Sequence, residues 1–101
     1  MLLYNITTKV DHAIVNDWLR WEKEIHIPEI MSTGLFIEHK FYKLLEHDDE
    51  EGQNFIIQFM ASSKEDFDTY LKEFAPQLQS KVFAKWGDKV VIFQTLLQNV
   101  Q

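Results

Sequence analysis

The sequence predicts an α+β fold: a ferredoxin-like β-α-β-β-α-β chain with a four-stranded antiparallel sheet and two helices on one face. Three observations predict it. Apolar residues alternate with period two in four segments. They recur at helical spacing in two others, and the connections between all six are short. Both faces of the predicted sheet are apolar, which calls for a partner and points to the dimeric α/β barrel form of this fold. With no linker, repeat or low-complexity stretch, residues 1–101 are expected to form a single domain.

The first strand is Leu2 to Val10, with Leu2, Tyr4, Ile6, Thr8 and Val10 on one face. Asp11 is placed to N-cap the helix that follows. Ile14, Trp18, Trp21 and Ile25 form its apolar stripe, and Val15 and Leu19 widen it. Ser32-Thr33-Gly34 ends it, Gly34 suiting the left-handed conformation past a helix end. The second strand, Leu35 to Leu45, puts Leu35, Ile37, His39, Phe41, Lys43 and Leu45 on one face and Phe36, Glu38, Lys40, Tyr42 and Leu44 on the other. HDDEEGQN, residues 47 to 54, reads as a solvated hairpin loop. A calcium site is the lesser alternative, because the spacing fails the EF-hand pattern and no helix leads in.

Phe55 to Ala61 is the third strand. Ser62, with Glu65 three residues on, offers a capping box for the second helix. Phe67, Tyr70, Leu71, Phe74, Leu78 and Val82 form its stripe, and Pro76 predicts a kink or a restart with the proline in a first turn. Trp86-Gly87-Asp88 turns the chain into the last strand, Lys89 to Gln98.

Composition narrows the function. Sixteen acids against ten bases give a formal charge of −6, which opposes phosphate backbones and anionic membranes. Neither nucleic acid nor membrane is expected as a partner. An RNA-binding sheet of this topology wants aromatics in a basic context; Phe55 and Phe59 are present, but DDEEGQN precedes them. No cysteine is present, so neither disulfides nor thiolate chemistry is available. No basic leader or spanning apolar run is seen, and a cytoplasmic location is expected. The second apolar sheet face is best met by another copy, giving a homodimer.

YNITTKVD at the start, WLRWEKEIHIPEIMSTGLF in the middle and FAPQLQSKVFAKWGDKVVIFQTLL at the end resemble a family of small bacterial proteins, domain of unknown function 4286. The resemblance covers nearly the whole chain and implies a ferredoxin-like fold of the dimeric α/β barrel type. The wider fold group includes cofactor-independent monooxygenases of the antibiotic-biosynthesis type, dismutase-like haem proteins and muconolactone isomerases. Fold-level analogy to that group carries little about chemistry.

The candidate site lies in WLRWEKEIHIPE, residues 18 to 29. Trp18, Trp21 and Ile25 share one stripe, and His26 sits at its edge. Glu22, four residues before His26, and Glu29, three after, are its neighbours on a regular helix. Pro28 removes an N–H and disfavours helical geometry at Ile27, so the helix should break between Glu24 and Pro28 and turn the imidazole toward protein. A structural His26 would hold that break through Glu22 or a freed carbonyl. A functional His26 would face a cavity with Glu29, beside a ligand-binding wall of Trp18, Trp21 and Glu22. His12, His26, His39 and His47 lack metal-ligand spacing, so no metal is expected, and no cofactor either.

Two functions follow. The leading expectation is a non-catalytic homodimer that binds a small apolar molecule or a protein partner. The alternative is a cofactor-independent enzyme with His26 as base or acid, Glu22 or Glu29 tuning it and the indoles forming an apolar wall. A cavity beside His26 separates them; indoles filling that space would remove the enzyme.

Overall fold

β1 (Leu2–Val10) runs through the middle of a four-stranded antiparallel sheet, between β3 (Gln53–Ala61) and β4 (Val90–Gln98). β2 (Glu38–Lys43) pairs with the far side of β3. The computed structural model describes residues 1–45 and 50–101. The helical side holds α1 (Val15–Trp21) and α2 (Ile27–Met31), then α3 (Lys64–Glu73) and α4 (Ala75–Trp86). The fold is ferredoxin-like α+β, and all helices lie on one face of the sheet.

Register decides which side chains meet the helices. Tyr4 lies opposite Phe59 and Leu96, and Thr8 opposite Phe55 and Ile92. Tyr4, Thr8, Val10, Phe55, Ile57 and Phe59 are buried on this face. One core cluster joins Tyr4, Ile30, Phe36, Phe59, Phe67 and Tyr70; a second joins Val10, Val15, Trp18 and Phe55. β4 is covered least: Ile92 and Leu96 point to the helical side yet remain 38% and 44% exposed. The opposite face is not covered by this chain, and it is ordered in rows across the strands. A polar row, Lys40–Gln58–Asn5–Thr95, separates Tyr42–Ile56–Thr7–Phe93 from Glu38–Met60–Leu3–Leu97.

The helix boundaries follow local chemistry. Asp11 Oδ1 accepts from the Ala13 N–H at 2.8 Å and starts a short 3₁₀ turn, His12–Ile14, ahead of α1. Glu22–His26 is a π-helical turn between α1 and α2. Gly34, at φ 76°, turns the chain out of the first helical run, and Gly87, at φ 55°, ends α4. Phe74 leaves helical geometry between α3 and α4, and Pro76 stands in the first turn of α4, where its missing N–H costs nothing.

Four sequence expectations are corrected. Ile25 was assigned to the buried stripe but is 48% exposed, because the π-turn carries one extra residue and rotates the following side chains. Leu71 lies outside the stripe of α3, also exposed. The cap of α3 is Ser63, whose Oγ accepts from Asp66 N–H at 3.1 Å, rather than Ser62 with Glu65. Pairing of β3 with β1 extends to Ala61, so Ser62 serves as the connection and its hydroxyl donates to Asp66 Oδ2 at 3.0 Å. The second strand is shorter than Leu35–Leu45. Phe36 turns into the core against Phe59 and Tyr70 while Ile37 points outward, and regular alternation begins only at Glu38. The hairpin-loop expectation for residues 47 to 54 lies partly outside the described residues; within them, Glu51 pairs with Lys9 at 3.1 Å.

Gly52 closes the β2–β3 connection against backbone. A Cβ there would stand 2.6 Å from the Val10 carbonyl oxygen and 3.2 Å from its carbon. Neither atom can yield without disturbing the β1 ladder, so Gly52→Ala is expected to destabilise the fold by about 1–3 kcal/mol. Urea denaturation checks this, and an unchanged midpoint contradicts it.

Candidate functional site

Pro28 sets the local geometry. It cannot donate to the Glu24 carbonyl as a regular helix requires. The chain widens instead, and the Ile27 N–H reaches the Glu22 carbonyl, an i to i+5 bond. The extra residue resets the inward positions. Trp18, Glu22, His26 and Ile30 now follow one another down the buried side, at 1%, 3%, 7% and 1% exposure.

Two polar side chains are thereby buried and must satisfy each other. His26 Nδ1 lies 2.9 Å from Glu22 Oε1 and 2.8 Å from Oε2. Carboxylate oxygens only accept, so Nδ1 carries the hydrogen and donates it. In the neutral ring Nε2 is then the acceptor, the nitrogen free to take a proton from a ligand. The imidazole stacks on Trp21, with ring centroids 4.7 Å apart and planes at 13°. Trp21 in turn meets the edge of Trp86 at 5.8 Å. Carboxylate and indole fix the ring in position and orientation.

His26 lines a cleft of about 610 Å³ between the helices and the β1–β4 half of the sheet. Tyr4 and Ile6 of β1 and Val90, Ile92 and Gln94 of β4 form its floor; Ile30, Tyr70, Leu78, Val82 and Phe83 form its walls. Gln79 and Asp88 add polar groups. The volume is that of a small-molecule site, and the lining is mainly apolar.

The sequence candidates separate on this geometry. Glu22, His26 and Trp21 come together, although Trp21 backs the histidine and does not face the cleft. Trp18 is core, wedged between Phe41 at 5.7 Å and Phe55 at 5.2 Å. Glu29 stands on the outer side of α2 and pairs with Lys81 of α4 at 2.6 Å, away from His26. The indoles leave the space beside His26 open. His39 lies exposed on β2, and among the described residues no group of three or more His, Asp or Glu is arranged to hold a metal ion.

Sequence reasoning missed Tyr4, Tyr70, Gln79 and Gln94. Tyr4 carried a signal, since it shares the inward parity of β1 and so places a hydroxyl on a buried face. The others are brought in by α3, α4 and an incompletely covered β4. Burial pushes the Tyr4 phenol up to about 12, with Gln79 acting weakly the other way through a hydrogen bond. Tyr70 is raised further by burial and by the neighbouring Tyr4. Both therefore remain O–H donors across the physiological range.

Sheet order, helix placement and the cleft beneath α4 define a ferredoxin-like protein with a candidate small-molecule site. The chain belongs to the family described as Domain of unknown function (DUF4286), whose model matches residues 1–100. No curated protein matches the sequence. Among solved structures it is similar to a dimeric ferredoxin-like protein from an uncultured marine organism, at 18% identity and TM-score 0.72, covering 100% of this chain and 96% of the other. HapK from Hahella chejuensis superposes at TM-score 0.72 with 6% identity, covering 99% and 93%. SnoaB, a cofactor-independent oxygenase from Streptomyces nogalater, does so at 0.65 with 11% identity, covering 99% and 93%. At these identities the likeness carries the fold alone.

The tyrosines predict an alkaline transition. A phenol whose folded value is raised contributes stability that is complete below about pH 10 and lost as pH rises toward 12. Urea midpoints measured across that interval should fall, and Tyr4→Phe should flatten the fall relative to wild type. Parallel curves for the two proteins contradict the assignment.

Proposed function

We propose that the chain is a homodimeric small-molecule protein whose cleft holds an apolar, ring-bearing ligand with an ionisable hydroxyl, and that the Glu22–His26 pair takes its proton. One observation carries this reading: a buried imidazole, oriented by a carboxylate through Nδ1, lines an apolar cleft. The ligand O–H would donate its proton to Nε2, and the imidazolium so formed would be held by the Glu22 carboxylate. No cofactor is needed for that step. Kinship of fold with a protein described as a cofactor-independent oxygenase supports chemistry of this economy on such a scaffold. Non-catalytic binding, the leading expectation from sequence, uses the same cleft and differs in leaving the proton where it was.

A naphthol separates the two, because its ionised form has its own absorbance band. Wild-type protein should bind 2-naphthol at neutral pH and display the naphtholate band. His26→Gln should keep the binding and lose the band, while Glu22→Gln, which preserves an acceptor for Nδ1–H but removes the charge, should weaken it. Binding without ionisation in wild type would return the protein to the non-catalytic reading.

The homodimer is proposed to form through the open sheet face. Tyr42, Val91, Phe93 and Leu97 stand there between 44% and 66% exposed, an unusual amount of apolar surface to leave wet. The relatives described as dimeric ferredoxin-like proteins support the assignment. The interface should bury on the order of 1,500 Å² in total. Light scattering at micromolar concentration should give twice the chain mass; Phe93→Lys should give the monomer. A monomeric wild type rejects the dimer.

A further inference from the structure

Two tyrosines meet at the cleft from different elements. Tyr4 of β1 and Tyr70 of α3 both line it, with ring centroids 6.0 Å apart and planes at 57°. Each is 3% exposed. Gln79, another lining residue, lies within hydrogen-bonding reach of the Tyr4 hydroxyl. Ile30 packs in the same cluster as both tyrosines and also lines the cleft, one helical turn after His26. The imidazole and the two phenols thus line one cleft, the first from the π-turn and the others from β1 and α3.

The charges around the cleft narrow the ligand further. No Lys or Arg among the described residues lines it, and Asp88 supplies a carboxylate. The chain as a whole carries −6. A phosphate or carboxylate ligand would enter against that field with no cation to meet it. An uncharged molecule would not. What such a ligand needs, once a proton has left it, is a set of neutral donors aimed at the new oxyanion.

We infer that Tyr4 and Tyr70 form that donor pair, so that the cleft selects an uncharged aromatic alcohol whose hydroxyl faces His26 and whose ring carries a second, conjugated carbonyl oxygen facing the two phenols. This deepens the proton-abstraction reading above and rests on it for the direction of charge flow. The proton passes from the ligand to His26 Nε2. The electron pair left behind delocalises through the ring to the oxygen facing the two phenols, and no electron enters or leaves. Burial keeps both phenols protonated, so the pair donates and adds no negative charge of its own.

The test uses a phenol that is already ionised, so that it does not depend on His26. Pentafluorophenol is ionised in free solution at about pH 8, and salt at about 0.5 M screens the net charge of the chain so that the phenolate can enter. Wild-type protein should bind it, and Tyr4→Phe and Tyr70→Phe should each bind it about tenfold more weakly, the value of a hydrogen bond to a charged acceptor. Hexafluorobenzene, which has no oxygen, should bind all three proteins alike, showing that the cleft has kept its shape. Either variant suffices if the other fails to fold. Equal affinity of wild type and variants for the phenolate overturns the donor pair, as does a wild type that binds hexafluorobenzene but not the phenolate. His26→Gln should leave phenolate affinity within about threefold and lose only the ionisation of 2-naphthol. A wild type that fails to ionise 2-naphthol yet binds the phenolate more tightly than the tyrosine variants would keep the donor pair and remove His26 as base. The reverse would leave His26 as base and remove the tyrosines.

Discussion

The hydrogen bonds from His26 Nδ1 to the Glu22 carboxylate tie together the first helical run, the indoles and the wall of the cleft. A buried carboxylate and a buried imidazole are each costly alone, and each satisfies the other only if the helix brings them to one side. A regular helix with Ile25 in the core would have left His26 at its edge. Pro28 prevents that by removing an amide hydrogen, and the wide turn it provokes brings both residues inward together. The Trp21 indole then closes over the imidazole, and Trp86 braces the indole. A single missing donor thus sets the position of the pair and the orientation of the ring.

The fold was legible because its signals are local and repeated. Alternation in β1 and β4, the Asp11 cap, Pro76 in a first turn and the glycines after the helices all read directly from residue type. The site was legible only in part. Glu22 and His26 could be paired by their spacing, and Pro28 announced an interruption. The form of the interruption could not be read, since a kink and a π-turn begin from the same missing hydrogen. That difference of one residue decided whether Ile25 or His26 faced inward. Glu29 illustrates the same shift: it stood beside His26 on a regular helix and instead reaches Lys81 on α4. Tyr70 and Gln79 were out of reach because they meet the cleft through tertiary packing, which no spacing within α3 or α4 reveals.

The sheet is unevenly covered, and the cleft exists because of it. The helices pack over β1 and β3, where Tyr4, Ile57 and Phe59 are sealed. β4 lies at the margin, and its inward residues are left to line an opening instead of a core. A helix shifted by one strand would have filled this space. Stability given up at the margin of the sheet is what leaves the cleft open. No helix among the described residues is long and apolar enough to cross a membrane.

The polar row across the uncovered face acts as a ruler for whatever docks there. Lys40, Gln58, Asn5 and Thr95 stand abreast between two greasy rows, and the Asn5 Oδ1 atom is buried without a hydrogen-bond partner among the described residues. A featureless apolar sheet could slide against a neighbour in steps of one pleat at little cost. Here each such step would lay amides against hydrocarbon and hydrocarbon against amides. A docking surface striped with the same spacing mates without that mismatch, and a second copy of the same face carries that spacing.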